Sequence, residues 1–198
     1  MDLVEGFILV GGASSRMGTD KALLPIGNES FVQRIGRELS RVTATVSVVG
    51  KPGQTDFGFP IAPDVHEHWG ALGGVHAALA ACRSEWALIV ACDLPNVSSA
   101  LFQRLLVLRK GFDAVAPVQV DGRRQPLCAA YRVAVCLPQA EALIKTGQRK
   151  PVALLQSVAT RWLDFSELSD LNGAEQFFDN INTPRDYERL FQKGARKS

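Results

Sequence analysis

The sequence predicts an α/β protein of three layers, in which a mostly parallel, Rossmann-like sheet is covered by helices on both faces. Three observations lead to this prediction. The chain has 198 residues, a length that suits one domain with a full hydrophobic core. Short apolar runs alternate with longer amphipathic ones along most of it. The strongly apolar run 86–91 leads directly to Asp93 and Pro95, and a proline is typical of the end of a sheet ladder.

Each apolar run predicts a strand, and each run with apolar residues at helical spacing predicts a helix. The predicted strands are Gly6–Val10, Val46–Val49, Phe59–Ala62, Trp86–Ala91, Asp113–Pro117 and Arg161–Phe165. The predicted helices are Ser30–Arg41, Val75–Ala81, Ser98–Leu108, Val133–Lys145, Val152–Ser157 and Pro184–Phe191. Ser30 and Ser98 are suited to cap the helices that begin there, because a serine side chain can accept a hydrogen bond from the first turn.

The alternation of strands and helices breaks near residue 117. Val118–Val120, the turn Asp121-Gly122 and Leu127–Tyr131 predict a β-hairpin inserted at about 117–131. The chain has neither an internal repeat nor a long linker, so we expect a single domain over 1–198. Its basic end, 193–198, is typical of a flexible, solvated tail.

Composition excludes several classes of protein. Subtracting 20 acidic from 22 basic residues leaves a net charge of +2, too small for a nucleic-acid binder that works by neutralising phosphates. A hydrophobic fraction of 46% excludes a disordered chain. The four cysteines form no CxxC pair and lie in apolar runs, which favours buried free thiols in a reducing compartment. With no basic leader and no apolar stretch of about 20 residues, we expect a cytoplasmic protein without membrane contact.

The most informative segment follows the first predicted strand. Gly11, Gly12, Ala13, Ser14 and Ser15 carry little side-chain bulk, so the backbone can approach a phosphate and direct N–H groups at it. Arg16 and Lys21 add two cations. The segment is neither a Walker A loop nor a GxGxxG fingerprint. A tight turn with two surface cations is the simpler alternative, but the order of glycines and cations favours nucleotide binding.

Asp93 is the second candidate site residue. It follows the strand Trp86–Ala91, so it is expected at the same carboxyl edge of the sheet as the glycine-rich segment. A carboxylate there can hold Mg²⁺, which prefers oxygen ligands and often shares them with substrate phosphates. Its alternative role is to cap the helix that begins near Ser98, which Ser98 or Ser99 could do instead.

These segments together resemble the molybdenum cofactor guanylyltransferase family, whose fold is of the GT-A-like nucleotidyltransferase type. Leu9–Lys21 resembles the signature LAGGxSxRMGxDK, and Cys92–Pro95 resembles CDxP. Three further segments are similar to GPLxG, DGRxxPLxALY and NxNTPxD, and the five together span residues 9 to 186. The similar segments are Trp69–Gly74, Asp121–Tyr131 and Asn180–Asp186.

The resemblance implies an enzyme that transfers GMP from GTP to molybdenum-bound molybdopterin, forms a guanine dinucleotide cofactor and releases pyrophosphate. It implies Mg²⁺ as cofactor, held by Asp93, and Arg16, Lys21 and Asp93 as the catalytic residues. The implied nucleotide-binding residues are Leu9, Val10, Gly11, Gly12, Ala13, Ser14, Lys21, Asp64 and Asp93. The implied pterin-binding residues are Gln125, Pro126, Asn180 and Asn182. Molybdopterin-insertion and acceptor molybdoenzyme proteins are implied partners.

Some of these residues have a simpler explanation. Asp64 could form an Asx-turn after Pro63, and Asn182 or Thr183 could cap the last helix. The chain also departs from the family pattern: Val10 replaces alanine, Ala71 replaces proline, and Gly50 stands where the family often has asparagine.

Other functions are compatible with the same residues. A CTP-dependent molybdopterin cytidylyltransferase, or another small-molecule nucleotidyltransferase, would share the glycine-rich segment and the metal aspartate. A non-catalytic GTP-binding module that delivers the cofactor is the alternative of another class, and the presence of Arg16, Lys21 and Asp93 argues against it. His66, His68 and His76 do not predict zinc, since no third ligand at helical spacing accompanies His66 and His68, and we expect surface histidines.

Overall fold

We describe the protein from a computed structural model, and the description covers residues 3–10, 21–51, 56–64, 66, 69–181, 183 and 185–188. The strands in these residues are β1 (Val4–Leu9), β2 (Pro25–Ile26), β3 (Glu29–Ser30), β4 (Thr45–Gly50), β5 (Ile61–Pro63), β6 (Trp86–Ala91), β7 (Ala114–Pro117), β8 (Cys128–Arg132) and β9 (Thr160–Leu163). The α-helices are α1 (Phe31–Leu39), α2 (Gly70–Ala81), α3 (Ser99–Val107), α4 (Val133–Lys145) and α5 (Val152–Ser157).

Seven strands form one sheet in the order β5-β4-β1-β6-β8-β7-β9. The pairs β5/β4, β4/β1, β1/β6 and β7/β9 are parallel, whereas β8 runs antiparallel to both of its neighbours. The predicted mostly parallel sheet with an inserted hairpin is therefore confirmed. Because the parallel strands end at one edge, the segments that follow them are brought together there.

Helices cover both faces of this sheet. One buried cluster joins the sheet to α1 and α3, and a second joins it to α2, α4 and α5. Strand β6 shows why both faces are apolar: Leu88 and Val90 point into the first cluster, and Ala87 and Ile89 into the second. The predicted three-layer arrangement is confirmed.

The serine caps begin α1 and α3 as expected. Ser30 accepts a hydrogen bond from the Gln33 amide at 3.2 Å, and the Gln33 side chain accepts one in return from the Ser30 amide at 2.8 Å. Ser98 accepts from the Leu101 amide at 3.3 Å. Because Ser98 caps α3, Asp93 does not have that task.

Helix α2 is longer than predicted, since it begins at Gly70 instead of Val75. Glycines disfavour helices in isolation, which is why the sequence did not predict the first turns. Here Leu72, Gly73 and Gly74 are all buried, and burial of this small-residue face outweighs the low intrinsic propensity.

Most other boundaries differ from the prediction by one or two residues, and two of these differences, at the last strand and in the hairpin, have a local cause. The last strand ends at Leu163 and not at Phe165, because the Asp164 amide donates to the Glu167 carboxylate at 3.2 Å and starts a 3₁₀ helix. The first arm of the hairpin is β7 itself, and beyond it Val118 makes only an isolated bridge with Arg124.

The end of the chain is described only in part. Residues 185–188 are helical, within the predicted helix Pro184–Phe191. The predicted basic tail 193–198 lies outside the described residues. None of the helices in the described part of the chain combines the length and the apolar character that a membrane crossing needs.

Candidate active site

The candidate site lies at the carboxyl edge, by which we mean the ends of β1, β4, β5 and β6 and the residues that follow them. Two backbone hydrogen bonds fix its centre. The Val10 amide donates to the Val49 carbonyl at 3.0 Å, and the Cys92 amide donates to the Leu9 carbonyl at 3.1 Å. The chain therefore leaves β1 between the ends of β4 and β6, and Asp93 follows immediately on the β6 side.

The glycine-rich segment starts at this point. Gly11, Gly12, Ala13, Ser14, Ser15 and Arg16 lie outside the described residues. Lys21 opens a short 3₁₀ helix, Lys21–Leu23, that leads towards α1. The predicted roles of these residues in phosphate binding stay predictions, and Leu9 and Val10 show where the segment begins.

Asp93 is half-buried in the turn after β6. The turn is closed by the Leu94 amide, which donates to the Ala91 carbonyl at 3.3 Å. It is also held from α1, because the Arg34 guanidinium donates from Nε to the Pro95 carbonyl at 2.9 Å. The turn that carries the aspartate is thus fixed both by its own backbone and by the first helix.

The donor set at this edge is compatible with Mg²⁺. Among the described residues, no three His, Cys, Asp or Glu side chains come together as a metal-binding group. A site with one carboxylate does not need such a group when the other ligands are water and substrate phosphates, which is the way Mg²⁺ is commonly bound. Asp93, beside the start of the glycine-rich segment, fits a metal of this kind and not a closed zinc site.

Asp64 lies on the far side of the edge, after β5. Its amide donates to the Gly50 carbonyl at 3.4 Å, and its carboxylate Oδ1 accepts from the His66 amide at 3.0 Å. The Asx-turn expected as an alternative is therefore present. A contact between Asp64 and a nucleotide stays a prediction, and the turn leaves the second carboxylate oxygen outside this bond.

The base of the hairpin reaches the same edge from the other side. The Leu127 carbonyl accepts from the Ala91 amide at 2.8 Å, two residues before Asp93. Gln125 and Pro126 precede Leu127 and are half-buried. The buried Tyr131 hydroxyl donates to the Pro126 carbonyl at 2.6 Å and holds this bend. The segment with two of the predicted pterin-side residues thus meets the chain two residues before Asp93.

A third element meets Asp93 from the C-terminal segment, which we define as residues 177–181. The Ile181 amide donates to the Asp93 carbonyl at 3.1 Å, so Asn180 is next to the residue bonded to Asp93. Asn182 lies outside the described residues. Thr183 caps the last helix, because its hydroxyl accepts from the Asp186 amide at 3.2 Å.

Two contacts of this segment and the helix after it were not predicted. The Gln119 side chain in the hairpin donates from Nε2 to the Phe178 carbonyl at 3.2 Å. The Tyr187 hydroxyl donates to the Pro25 carbonyl at 2.5 Å, which ties the last helix to the chain that follows the glycine-rich segment. No local pattern marks either residue, because each partner is more than 50 positions away in the sequence.

The expectation of surface histidines was wrong for His76. It lies on α2 with 5% of its surface exposed, and neither ring nitrogen has a hydrogen-bond partner among the described residues. Its ring contacts that of His66 edge to face, with centroids 4.5 Å apart, and its Nε2 is 3.7 Å from the Glu141 carboxylate. Burial, followed by the nearby His66, lowers the pKa of His76 below its ordinary value of 6.5, and Glu141 and Asp64 partly oppose this shift.

The cysteines were predicted to be free and buried, and the structure confirms the first for all four and the second for three. All four, Cys82, Cys92, Cys128 and Cys136, are free, and three of them are buried. Burial raises the pKa of Cys128 and of Cys136 to about 12, which favours the protonated thiol in both.

Known proteins match this chain over most of its length. A curated relative from Pelotomaculum thermopropionicum, named probable molybdenum cofactor guanylyltransferase, is 32% identical over 91% of this chain and 88% of its own. One from Vibrio parahaemolyticus, named molybdenum cofactor guanylyltransferase, is 29% identical over 96% of this chain and 95% of its own.

The fold is also that of a solved structure, molybdopterin-guanine dinucleotide biosynthesis protein A from Archaeoglobus fulgidus. The two share 22% sequence identity with a TM-score of 0.81, and the match covers 97% of this chain and 99% of the other. The family model described as a MobA-like NTP transferase domain matches residues 6–161, from β1 into β9. This chain therefore belongs to the MobA-like NTP transferase family.

Proposed function

We propose that this protein is a Mg²⁺-dependent molybdenum cofactor guanylyltransferase, which transfers GMP from GTP to molybdenum-bound molybdopterin. One structural observation carries the transfer chemistry: the hydrogen bond from the Cys92 amide to the Leu9 carbonyl, which sets Asp93 beside the start of the glycine-rich segment. The choice of acceptor rests on the names of the curated relatives.

In the proposed reaction, an oxygen of the molybdopterin phosphate attacks the α-phosphorus of GTP. A new P–O bond forms between this oxygen and the α-phosphorus. The bond from the α-phosphorus to the oxygen that bridges to the β-phosphate breaks, and pyrophosphate leaves with its electron pair. The attacking group is already an anion, so no general base is required. The protein contributes alignment and charge stabilisation, which are the main terms in reactions of this kind.

Different residues of the chain bind the phosphates, neutralise their charge and contact the base. Gly11, Gly12, Ala13 and Ser14 bind the phosphates through backbone N–H groups. Arg16 and Lys21 neutralise charge on the triphosphate and on the departing pyrophosphate. Asp93 would hold Mg²⁺, which when bound would supply further charge stabilisation to the phosphates. Asp64 accepts hydrogen bonds from the guanine edge.

The acceptor lies on the opposite side of Asp93. Gln125 and Pro126, at the base of the hairpin, together with Asn180 and Asn182, bind the pterin. A pterin edge mixes hydrogen-bond donors and acceptors, and the side-chain amides of asparagine and glutamine match both kinds. The Leu127–Ala91 and Ile181–Asp93 backbone bonds support this placement, because they bring both segments to the aspartate. The product passes to insertion proteins and acceptor molybdoenzymes.

The test is pyrophosphate release by the purified protein, with molybdenum-loaded molybdopterin as acceptor and each of GTP, CTP and ATP as donor. GTP is expected to support turnover, and removal of Mg²⁺ is expected to stop it. A preference for CTP would replace the nucleotide assignment by cytidylyl transfer and keep the reaction type. Binding of GTP without pyrophosphate release from any nucleotide would favour the delivery module.

A further inference from the structure

Gly50 and Val10 lie side by side at the carboxyl edge. Val10 follows β1, and its amide is bonded to the Val49 carbonyl at 3.0 Å, immediately before Gly50. Gly50 ends β4, and its own carbonyl accepts from the Asp64 amide at 3.4 Å. The two residues thus connect the start of the glycine-rich segment to the loop that carries Asp64.

Position 50 has no room for a side chain. A Cβ atom placed on Gly50 would lie 2.7 Å from Cγ2 of Val10, closer than real Cβ contacts come. The backbone there does not require glycine, since Gly50 is not among the described glycines with positive φ. The reason for glycine is therefore the space that Val10 occupies.

Val10 cannot easily give way. Valine branches at Cβ, so its side chain has few allowed rotamers, and its backbone is held by the bond to Val49. We expect a side chain at position 50 to displace the Val10 backbone, because the few valine rotamers leave its side chain little freedom to turn away. Since Gly11 comes next, that displacement would move the first residues of the glycine-rich segment.

We propose that Val10 and Gly50 form a size-matched pair that positions the start of the nucleotide-binding segment, with Val10 as the positioning residue. This proposal rests on the proposed function, because it assigns the pair an effect on nucleotide affinity. Val10 and Gly50 both depart from the family pattern, and the proposal treats them as one structural unit. The larger residue at position 10 requires the absence of a side chain at position 50.

The test is a double-mutant cycle of Val10→Ala, Gly50→Ala and the two combined, measured as KM and kcat for GTP in pyrophosphate release. Gly50→Ala is expected to raise KM about tenfold or more with a much smaller change in kcat, since small displacements of binding groups have large effects. Val10→Ala removes Cγ2, so the double variant is expected to return to the KM of Val10→Ala alone.

Two control combinations isolate the contact. Val10→Thr keeps the shape of valine, so Val10→Thr/Gly50→Ala is expected to remain impaired. Val48→Ala removes the same two methyl groups from a buried site two residues earlier on β4, and it is not expected to rescue Gly50→Ala. If Gly50→Ala alone does not fold, the Val10→Ala/Gly50→Ala protein must fold and turn over.

Several outcomes would overturn the proposal. These are an unchanged KM in Gly50→Ala, a lower melting temperature without any change in KM, and a raised KM that Val10→Ala does not restore. Failure of the proposed function is distinguishable from these results. In that case the unsubstituted protein releases no pyrophosphate, while the melting temperatures of the four proteins in the cycle still show whether the two positions are coupled.

Discussion

The two halves of the carboxyl edge are built in different ways. In the nucleotide half, formed by the ends of β1, β4 and β5, neighbouring parallel strands bring the site residues together. In the acceptor half, formed by the end of β6, the hairpin and the C-terminal segment, β8 pairs antiparallel with β6, and single long-range hydrogen bonds attach the C-terminal segment. Gln119 reaches Phe178, and Ile181 reaches Asp93.

This difference in construction makes the two halves unequally robust. Disturbing the nucleotide half requires added bulk that shifts a strand end or the loop that follows it, whereas the acceptor half can be disturbed by removing one side chain. Asp93 lies on the boundary and is held from both halves. We therefore expect a substitution at Asp93 to affect both substrates, and substitutions on either side to affect one.

The largest effect is expected for Asp93→Asn. Loss of the charge removes the proposed Mg²⁺ ligand, and turnover should fall about 100-fold or more, as when a group that stabilises transition-state charge is removed. The measurement is the rate of pyrophosphate release at saturating GTP and acceptor. Asp170→Asn is the matched control, because Asp170 pairs with Arg104 at the surface, and its rate should stay close to that of the unsubstituted protein. Full activity of Asp93→Asn would contradict the assigned role.

Gly73→Ala is expected to displace part of the nucleotide half and so weaken GTP binding. A Cβ at Gly73 would lie 3.0 Å from Trp69 Cβ and 3.1 Å from the His66 carbonyl, so α2 would push the loop that carries Asp64. We expect a loss of about 1–3 kcal/mol in the free energy of unfolding and a higher KM for GTP. Denaturant unfolding and initial rates measure the two effects.

A variant with strain of another kind serves as the control. Gly147 has a φ of +84°, and a Cβ atom added there would meet none of the described residues within 4 Å, so alanine is strained only through its backbone. Gly147→Ala should lower stability by about 1–2 kcal/mol and leave the KM for GTP unchanged. An equal rise in KM for both variants would mean that lost stability, and not loop position, controls GTP binding.

Gln119→Ala is expected to weaken molybdopterin binding in the acceptor half and to leave GTP binding unchanged. It removes the bond to the Phe178 carbonyl, which links the C-terminal segment to the hairpin. The loss of one hydrogen bond of about 1 kcal/mol predicts a rise of several-fold in the KM for molybdopterin, with the KM for GTP unchanged. Gln148→Ala is the control, since Gln148 bonds to the adjacent Arg149 and Lys150 amides. A rise in the KM for GTP in Gln119→Ala would show that the two halves are not independent.

The smallest effect is expected from lowering the pH, which should reduce the free energy of unfolding. Burial lowers the pKa of His76, so the folded protein binds fewer protons at this site than the unfolded chain. The free energy of unfolding should therefore fall as the pH drops below 6.5, until it passes the lowered pKa of the folded state. His66, Glu141 and Asp64 are the ionisable groups that act on His76.

Denaturant unfolding at a series of pH values measures this dependence. His76→Phe keeps the ring against His66 but cannot titrate, so its stability should fall less than that of the unsubstituted protein as the pH drops below 6.5. Glu141→Gln removes the carboxylate that raises the pKa of His76, and the fall in stability should then be steeper. The same slope in all three proteins would contradict the assignment to His76.

Local signals predicted much of the fold. The apolar run Trp86–Ala91 was predicted with both boundaries correct, because a six-residue strand buried on both faces must be apolar throughout. Ser30 and Ser98 marked helix starts, since capping depends on residues within one turn. The first turns of α2 were missed because their stability comes from burial against the sheet and not from the glycines themselves.

The sequence by itself determined the class of fold, the glycine-rich segment after β1 and the position of Asp93 at the end of β6. These depend on patterns within a few residues, which are visible before folding. The tertiary structure alone decided that Val10 fills the space above Gly50, that Gln119 holds the C-terminal segment and that His76 is buried against His66. Such contacts join residues that are not neighbours in the chain, and only the packing of the strands and helices sets the distances between them.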